Sequence, residues 1–299
     1  MSKREAIARY NLIIKRLRNQ PASFAEIAEY LALESELQEY DFNVSKRTFQ
    51  RDLDDIRSLY NIDIVFDFSR KVYFIEFDEY SDFNERMLEA FDTFNALNLS
   101  DRLSANIHFE KRRPQGTENL HGLLHAIKNH FQVKFTYEKF WEDHLTKRNA
   151  EPYALKEFRN RWYLLAKDLK DDNVKSFALD RLSDLDITKK RFQRPKDFNV
   201  NQHYQYSFGI IGPNDSKPAV IELSLEPFQG KYIKSLPLHD SQQILLDNDK
   251  ELRIQLTLFL THDFFMELLS YGDKLKVIKP ESLIKDLKKT FRNVLKLYD

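Results

Sequence analysis

Aromatic and arginine residues are concentrated in the sequence between residues 159 and 182. This stretch is the clearest candidate for a binding site in the chain. Trp162 and Tyr163 lie in an apolar run with strand-like composition, and Arg181 ends a second strand-like segment about fifteen residues later. Two adjacent strands would place these side chains side by side. A guanidinium holds phosphate through paired hydrogen bonds, and an aromatic ring stacks on a nucleobase. The pattern therefore predicts a site for an anion.

The distribution of charge supports this prediction, although the net charge of the whole chain is zero. Residues 111–196 carry 20 basic and 12 acidic side chains, whereas residues 1–77 carry 12 and 13. The surplus of eight positive charges coincides with the aromatic strands and would attract a polyanion. A solvated basic surface that only keeps the protein soluble is the alternative.

The segment around this stretch predicts five short antiparallel strands with polar connections, which indicates a small barrel. The predicted strands are Gln132–Tyr137, Arg148–Leu155, Arg161–Ala166, Val174–Leu179 and Leu185–Thr188. A helix over residues 118–130 precedes them, with Leu120, Leu123, Leu124 and Ile127 expected to face inward.

Three ordered segments resemble the WYL domain, a β-barrel found in bacterial transcriptional regulators. They are Arg148-x-x-x-Pro152-Tyr153-Ala-Leu155, Trp162-Tyr163-Leu164 and Phe177-Ala-Leu-Asp-Arg-Leu182. In that family, basic and aromatic side chains in a groove of the barrel sense a ligand or nucleic acid. The resemblance implies this role for Tyr137, Arg148, Tyr153, Trp162, Tyr163, Lys175 and Arg181. Lys175 replaces an arginine common in the family, and Ala178 stands where a second arginine often occurs.

Two of these residues keep a second interpretation open. Trp162 lies in an apolar strand, where a tryptophan is usually a core residue. Asp180 directly precedes Arg181, and pairing between the two would either orient the guanidinium for a ligand or simply close the barrel.

The amino-terminal part predicts three helices followed by a hairpin. Residues 4–18 form the first helix, and Ser23 caps the second with Glu26 in a capping box. The third begins at Ser45, with Phe49, Leu53, Ile56 and Tyr60 on one side and Arg47, Gln50, Arg51 and Asp54 on the other. Ile62–Asp67 and Lys71–Phe77 then flank a turn at residues 68–70.

This order predicts a winged helix-turn-helix whose third helix enters the major groove of DNA. Ser45-x-Arg47-Thr48-x-x-Arg51-Asp52-Leu53 resembles the recognition-helix motif of winged regulators that carry WYL domains. The predicted DNA-binding residues are Ser45, Lys46, Arg47, Thr48, Gln50, Arg51, Arg70 and Lys71. The alternative is that Arg51 and Asp52 only cap the helix or pair locally, and nearby Asp54 and Asp55 would weaken phosphate contacts.

The remaining segments complete an α+β, multidomain chain. Residues 81–99 predict an apolar helix that either connects domains and supports dimerisation or packs within one chain. Residues 218–278 alternate as β-α-β-β-α-β, which fits a ferredoxin-like fold, and a helix follows at 281–298. This order resembles the extension often attached to WYL domains. The predicted domains are a winged helix-turn-helix (1–79), a helical linker (80–131), an Sm/SH3-like WYL β-barrel (132–196) and a ferredoxin-like extension (197–299).

Several function classes find little support in the composition. The chain has no cysteine, so disulfides and cysteine-based zinc sites are excluded. No secretory signal and no apolar run of roughly 18 residues is visible, so we expect a cytoplasmic protein without a membrane partner. His121 and His125 have the spacing of a metal-binding pair but lack a third ligand, so we expect no metal and no cofactor.

An enzyme acting on nucleotides or nucleic acid is a further alternative. Only Asp180 and Glu151 lie near the basic set, and the six glycines form no phosphate-binding loop. We therefore expect no enzyme activity. The sequence predicts a DNA-binding transcriptional regulator whose WYL domain senses an anionic effector, either a nucleotide or a single-stranded nucleic acid. A homodimer on double-stranded DNA is expected because winged regulators read paired half-sites. The rival is a non-transcriptional nucleic-acid-sensing accessory protein, for example in phage defence.

Overall fold

The computed structural model describes residues 3–38, 40–78, 84–91, 116–140, 144–213 and 216–299. The chain divides into two compact units, residues 1–110 and residues 111–299. Most of the apolar helix predicted over 81–99 lies outside the described residues, and only 84–91 are seen as helical.

The first unit contains three helices, a two-stranded hairpin and the helical residues 84–91. The elements are α1 (Lys3–Asn19), α2 (Phe24–Gln38), α3 (Lys46–Tyr60), β1 (Ile62–Asp67), β2 (Val72–Asp78) and α4 (84–91). The capping box predicted for α2 is present: the Ser23 amide donates to Glu26 Oε2 at 2.7 Å, and the Glu26 amide donates to Ser23 Oγ at 3.3 Å. Because Ser23 and Glu26 each accept a hydrogen bond from the other's backbone amide, the first turn of α2 is capped and the helix begins where the pattern predicts.

One apolar core joins the three helices to the hairpin. Ile13, Ile27, Phe49 and Ile56 are wholly buried in it. Arg9 of α1 and Asp52 of α3 form a buried pair, with Nε to Oδ2 at 2.8 Å and Nη2 to Oδ1 at 2.7 Å. The bidentate pair fixes α3 against α1. Asp52 therefore stabilises the fold through a long-range pair, and not through the helix cap or local pairing of the alternative interpretation.

The hairpin has an ordered turn. Asp67 Oδ1 accepts hydrogen bonds from the Ser69 amide, the Ser69 hydroxyl and the Arg70 amide at 2.8, 2.7 and 3.1 Å. These bonds lower the pKa of Asp67. A backbone bridge between Ala22 and Tyr73 joins the hairpin to the α1–α2 connection. The turn is thus held in one conformation at the edge of the unit.

The second unit begins with α5 (Leu120–Asn129) packed on a five-stranded antiparallel sheet. Its strands are β3 (Phe131–Lys139), β4 (His144–Phe158), β5 (Arg161–Asp168), β6 (Val174–Ala178) and β7 (Leu182–Arg191), in the order β6-β5-β4-β3-β7. The predicted closed barrel is not formed by the described strands, since β6 and β7 are opposite edges of the sheet. A 3-10 turn at Leu179–Arg181 separates them, and β7 pairs with β3 instead.

Helix α5 closes one face of this sheet. Leu123 and Ala126 are wholly buried among the strands, so α5 shares the sheet's core. The sequence instead predicts this helix as the end of the linker at 80–131. Leu124, expected to face inward, is 52% exposed. Leu124 lies two residues before Ala126 and therefore nearly opposite it on the helix, and the narrow contact with the sheet accommodates only one stripe of the helix. Gly116 precedes α5 with φ of +85°, and a Cβ there would lie 2.3 Å from the Leu179 carbonyl.

A second antiparallel sheet follows a connecting segment that contains the short helix α6 (Val200–Tyr204). Its strands and the helices between them are, in chain order, β8 (Ala219–Leu225), α7 (Pro227–Ser235), β9 (Gln243–Asp247), β10 (Leu252–Leu258), α8 (His262–Ser270) and β11 (Leu275–Lys279). The helix α9 (Glu281–Leu295) follows the last strand. The strand order is β11-β8-β10-β9. The predicted β-α-β-β-α-β order is therefore observed, with the strand arrangement of a split β-α-β fold.

The two sheets of the second unit contact each other through the β4–β5 turn. Phe158 lies edge-on to Phe208 at 5.8 Å, and Phe208 contacts Phe264 of α8 at 5.5 Å. Arg159 in the same turn pairs with Glu267 of α8. The sheets are therefore joined by both apolar and charged contacts, and the connecting segment lies beside this joint.

Candidate functional site

A cavity of about 470 Å³ opens beside β6 in the second unit. Three of the seven predicted effector residues, Tyr137, Arg148 and Lys175, line it together. Its other charged residues are Lys139, Asp168, Lys170 and Asp171, and the connecting segment contributes His203 and residues 210–213. The cavity thus has a charged wall on the first sheet and a mostly neutral wall from the connecting segment.

Asp168 is the centre of the charged wall. Its Oδ2 accepts from Arg148 Nη1 at 2.8 Å and from Lys175 Nζ at 3.0 Å, and its side chain is wholly buried. Arg148 is nearly as buried and also donates from Nε to Thr146 Oγ1 at 3.2 Å. A buried carboxylate between two cations holds both in fixed positions. The wall is therefore preorganised.

Asp171 reaches the same lysine from the β5–β6 turn. It pairs with Lys175 Nζ, and that hydrogen bond is the main reason why the pKa of Asp171 is lowered. Lys175 and Asp171 are both partly exposed at the cavity rim. Lys175 therefore contacts two carboxylates, one buried and one accessible to solvent.

Tyr137 contributes a ring to the cavity but its hydroxyl is already engaged. The Ala178 amide donates to Tyr137 Oη at 3.2 Å, and burial raises the pKa of the phenol. The ring contacts Phe177 edge-on, with centroids 5.1 Å apart. Tyr137 is thus a rigid part of the wall.

Arg181 does not line the cavity. Its guanidinium lies over the rings of Tyr137 and Phe140, 5.1 and 4.8 Å from their centroids. Asp180 pairs with Arg161 at 3.5 Å, so the pairing of Asp180 with Arg181 expected from the sequence is wrong. Adjacent residues on this 3-10 turn point in different directions, which separates the two side chains.

The other three predicted aromatic residues lie away from the cavity. Tyr153 is buried against Phe198, with ring centroids 4.8 Å apart, and lies under the guanidinium of Arg194. Trp162 packs partly buried against the core of the first sheet, and Tyr163 is buried, which raises the pKa of its phenol. None of the three is among the residues that line the cavity.

Sequence reasoning missed Asp168, Asp171 and the wall from the connecting segment. The two aspartates follow the Trp-Tyr-Leu strand within a few residues, so their proximity to Lys175 could have been inferred from a hairpin between β5 and β6. His203 and residues 210–213 carry no comparable signal. They reach the cavity only because the connecting segment folds back along β6.

In the first unit, α3 presents the face that the sequence predicted. Lys46, Arg47, Gln50 and Arg51 are exposed, whereas Phe49, Leu53 and Ile56 are buried. Ser45 Oγ accepts from the Thr48 amide at 3.2 Å, so these two predicted contact residues form the helix cap. Within the described part of the chain, Arg47 and Arg51 form no ion pair.

The tip of the hairpin is also exposed. Arg70 and Lys71 lie in its turn next to Phe68, which is 85% exposed. In the second unit, His121 and His125 are exposed on α5. His125 Nδ1 lies 3.3 Å from the side-chain nitrogen Nδ2 of Asn129. No described helix is at once long and apolar enough to cross a membrane.

Comparison with known proteins identifies two domains in the second unit. The family profile of the WYL domain matches residues 118–187, and that of the WCX domain matches residues 217–295. None of the curated proteins gives a significant match.

Among solved structures, Proteasome accessory factor B/C (PafBC) of Arthrobacter aurescens is 19% identical, with a TM-score of 0.32 over 94% of this chain. The match covers 45% of the PafBC chain, so this chain spans less than half of that relative. A protein described as CRISPR Cas-related is 11% identical, with a TM-score of 0.43, and the match covers 99% of this chain and 85% of the other. The two matches show that this chain contains a WYL domain followed by a WCX domain.

Proposed function

We propose that this protein is a DNA-binding transcriptional regulator and that the cavity of its WYL domain binds an anionic effector. The observation that carries the proposal is the shared contact of Arg148 and Lys175 with the buried Asp168. Two cations held rigidly at a cavity wall favour an anion because little side-chain freedom is lost when it binds. A nucleotide or a short single strand has the required charge.

The wall keeps hydrogen-bond donors for such a ligand. Lys175 Nζ has three N–H groups and uses two of them on Asp168 and Asp171. Arg148 has five N–H groups and uses two on Asp168 and Thr146. Lys170, which is exposed, adds positive charge to the lining. These groups suit a phosphate that enters from the rim.

DNA binding is assigned to α3 and the hairpin of the first unit. The exposed face of α3 offers two arginines and a glutamine, the side chains that hydrogen-bond to guanine and adenine in the major groove. Arg70 and Lys71 are exposed at the hairpin tip, and we propose that they contact phosphate. Asp55 accepts from the Tyr10 hydroxyl at 2.6 Å, which shields part of its charge from DNA. We further propose that two copies act together on paired half-sites.

The effector half of the proposal is tested by titrating the full chain. Fluorescently labelled oligodeoxythymidine and nucleoside monophosphates are added at low and high salt, and anisotropy is recorded. We expect binding that weakens steeply as salt rises, because captured phosphate releases counterions. Lys175→Gln should reduce the affinity. Lys167→Gln is the matched control, since Lys167 pairs with Asp172 and does not line the cavity. Absence of binding to every probe would refute this half.

The DNA half is tested separately by footprinting the full chain on DNA upstream of its own gene and on random DNA of equal length. A regulator protects a defined stretch of the upstream DNA at salt concentrations that remove it from random DNA. Equal binding to both would favour the accessory protein that senses nucleic acid without regulating transcription.

A further inference from the structure

Residues 207–213, here called the strap, connect the two domains of the second unit and lie outside both family matches. The strap is attached at Ile210 to an element of each domain. Ser176 Oγ on β6 donates to the Ile210 carbonyl at 2.8 Å, and the Ile210 amide donates to Asp263 Oδ2 on α8 at 3.1 Å. The strap is therefore fixed at one residue, Ile210, to β6 of the first sheet and to α8 of the second domain.

Beyond Ile210, the strap runs close against His203. A Cβ on Gly212 would lie 2.4 Å from His203 Nε2, so only glycine allows the backbone to approach the imidazole this closely. The imidazole cannot readily move aside, because its ring packs against the rings of Phe198 and Tyr204, with centroids 5.7 and 4.9 Å away. His203 and Gly212 thus form one continuous surface in the cavity.

The backbone of the strap adds hydrogen-bonding groups to this surface. Ile211 and Gly212 line the cavity, and within the described part of the chain their amides and carbonyls have no hydrogen-bond partner. Backbone N–H and C=O groups in a pocket are the donors and acceptors that fix the orientation of a small ligand. The cations of Arg148 and Lys175 belong to the other wall. The cavity therefore combines an anion-binding wall with a neutral hydrogen-bonding wall.

We propose that the strap and His203 recognise a nucleobase, so that the effector is a nucleotide or short strand bound through both its phosphate and its base. The inference rests on the proposed function, because it requires the phosphate to lie at Arg148 and Lys175. A base edge presents donors and acceptors side by side, and the backbone of Ile211 and Gly212 has both kinds of group. Pro213 and the rings of Tyr137 and His203 supply flat apolar surface.

The state of His203 suits this role. Burial lowers the pKa of its imidazole, and the positive charge of Lys156 lowers it further. A neutral imidazole keeps one donor and one acceptor, whereas a protonated one would only donate. His203 therefore matches the mixed hydrogen-bonding edge of a base at neutral pH.

The test compares probe pairs that differ only in the base. Isothermal titration of the full chain uses the common nucleoside monophosphates against ribose 5-phosphate, and a hexanucleotide against an abasic strand of equal length. We expect the best base-bearing probe to bind about ten-fold tighter or more than its partner without a base. His203→Ala and Gly212→Ala should remove this difference and leave the affinity for the baseless probes unchanged.

His121→Ala, on the exposed face of α5, is the matched control and should change neither affinity. Circular dichroism establishes that each variant is folded. If the parent protein binds probes with and without a base equally well, the strap does not recognise a base. The same conclusion follows if His203→Ala and Gly212→Ala weaken the binding of both kinds of probe equally. Either result leaves the anion site in place. Failure of every probe to bind the parent would overturn the proposed effector site and this inference with it.

Discussion

Arg148 and Lys175 share a single acceptor atom: Asp168 Oδ2 lies 2.8 Å from Arg148 Nη1 and 3.0 Å from Lys175 Nζ. Asp168 is wholly buried, so this contact is a permanent part of the wall. Asp171, by contrast, contacts Lys175 from the exposed rim. An incoming anion must therefore either share Lys175 with Asp171 or displace the Asp171 carboxylate from it.

Replacing Asp171 with Asn should strengthen anion binding at pH 7. Lys175 holds the pKa of Asp171 below its usual range, so the carboxylate is charged throughout the neutral range and competes with the ligand. We expect a gain of about three- to ten-fold in affinity for labelled oligodeoxythymidine, since removing a nearby like charge favours an anion. Anisotropy titrations at low salt measure it.

Asp172→Asn is the control for this variant, because Asp172 pairs with Lys167 and removing it changes the net charge by the same amount. An equal gain in both variants would mean that only the overall charge matters. No gain in Asp171→Asn would mean that Asp171 does not compete with the ligand.

Arg9→Ala should destabilise the first unit by about 3–5 kcal/mol, because it leaves the buried Asp52 carboxylate without its partner. The double replacement Arg9→Met with Asp52→Leu should recover most of this loss, since it removes both charges. Urea unfolding followed by circular dichroism measures the two values. A loss below about 1 kcal/mol in Arg9→Ala, the range of surface pairs, would contradict the buried pair.

Simultaneous replacement of Arg47 and Arg51 by Ala should lower the affinity for the upstream DNA by about 1–3 kcal/mol per lost base contact. Both side chains are exposed on α3, so the melting temperature should barely change. Arg57→Ala on the same helix is the control, because Arg57 pairs with Asp63 at the far end. Unchanged DNA binding by the folded double variant would exclude α3 as the recognition helix.

The full chain should associate into dimers, because a single three-helix reader contacts too little DNA for a specific site. Light scattering at micromolar concentration, with and without upstream DNA, gives the mass directly. A strictly monomeric protein under both conditions would rule out binding to paired half-sites.

His203 should remain neutral at pH values where an exposed histidine is already protonated. Burial and the charge of Lys156 lower its pKa, so the unfolded chain binds the proton more readily and this residue reduces stability as the pH falls below 6.5. An NMR titration of the imidazole protons reports the pKa, with a short unstructured peptide containing histidine as the reference. A midpoint for His203 equal to or above that of the peptide would contradict the burial of its ring.

Local patterns in the sequence were sufficient to locate most of the secondary structure. The Ser23–Glu26 capping box, the Ser45 cap and the apolar stripe of α3 depend on residues three or four apart, and each is found in the structure. The β-α-β-β-α-β order of the carboxyl-terminal sheet follows from the same kind of local periodicity. Such features depend on residues close together in the sequence, so they can be predicted without the tertiary structure.

The composition of the cavity depended on the tertiary structure. Arg148 and Lys175 were expected in it, but the strap and the contact of Arg148 with Asp168 were not, because hydrogen bonds between residues twenty or more positions apart leave no periodic signal. Tyr153 and Tyr163 have the chemistry of stacking residues, yet the pleat of each strand and the packing of neighbouring rings buried them elsewhere. The sequence by itself determined which side chains were available to hold an anion. Only the fold decided which of them face one cavity, since that depends on strand register and on where the connecting segment folds back.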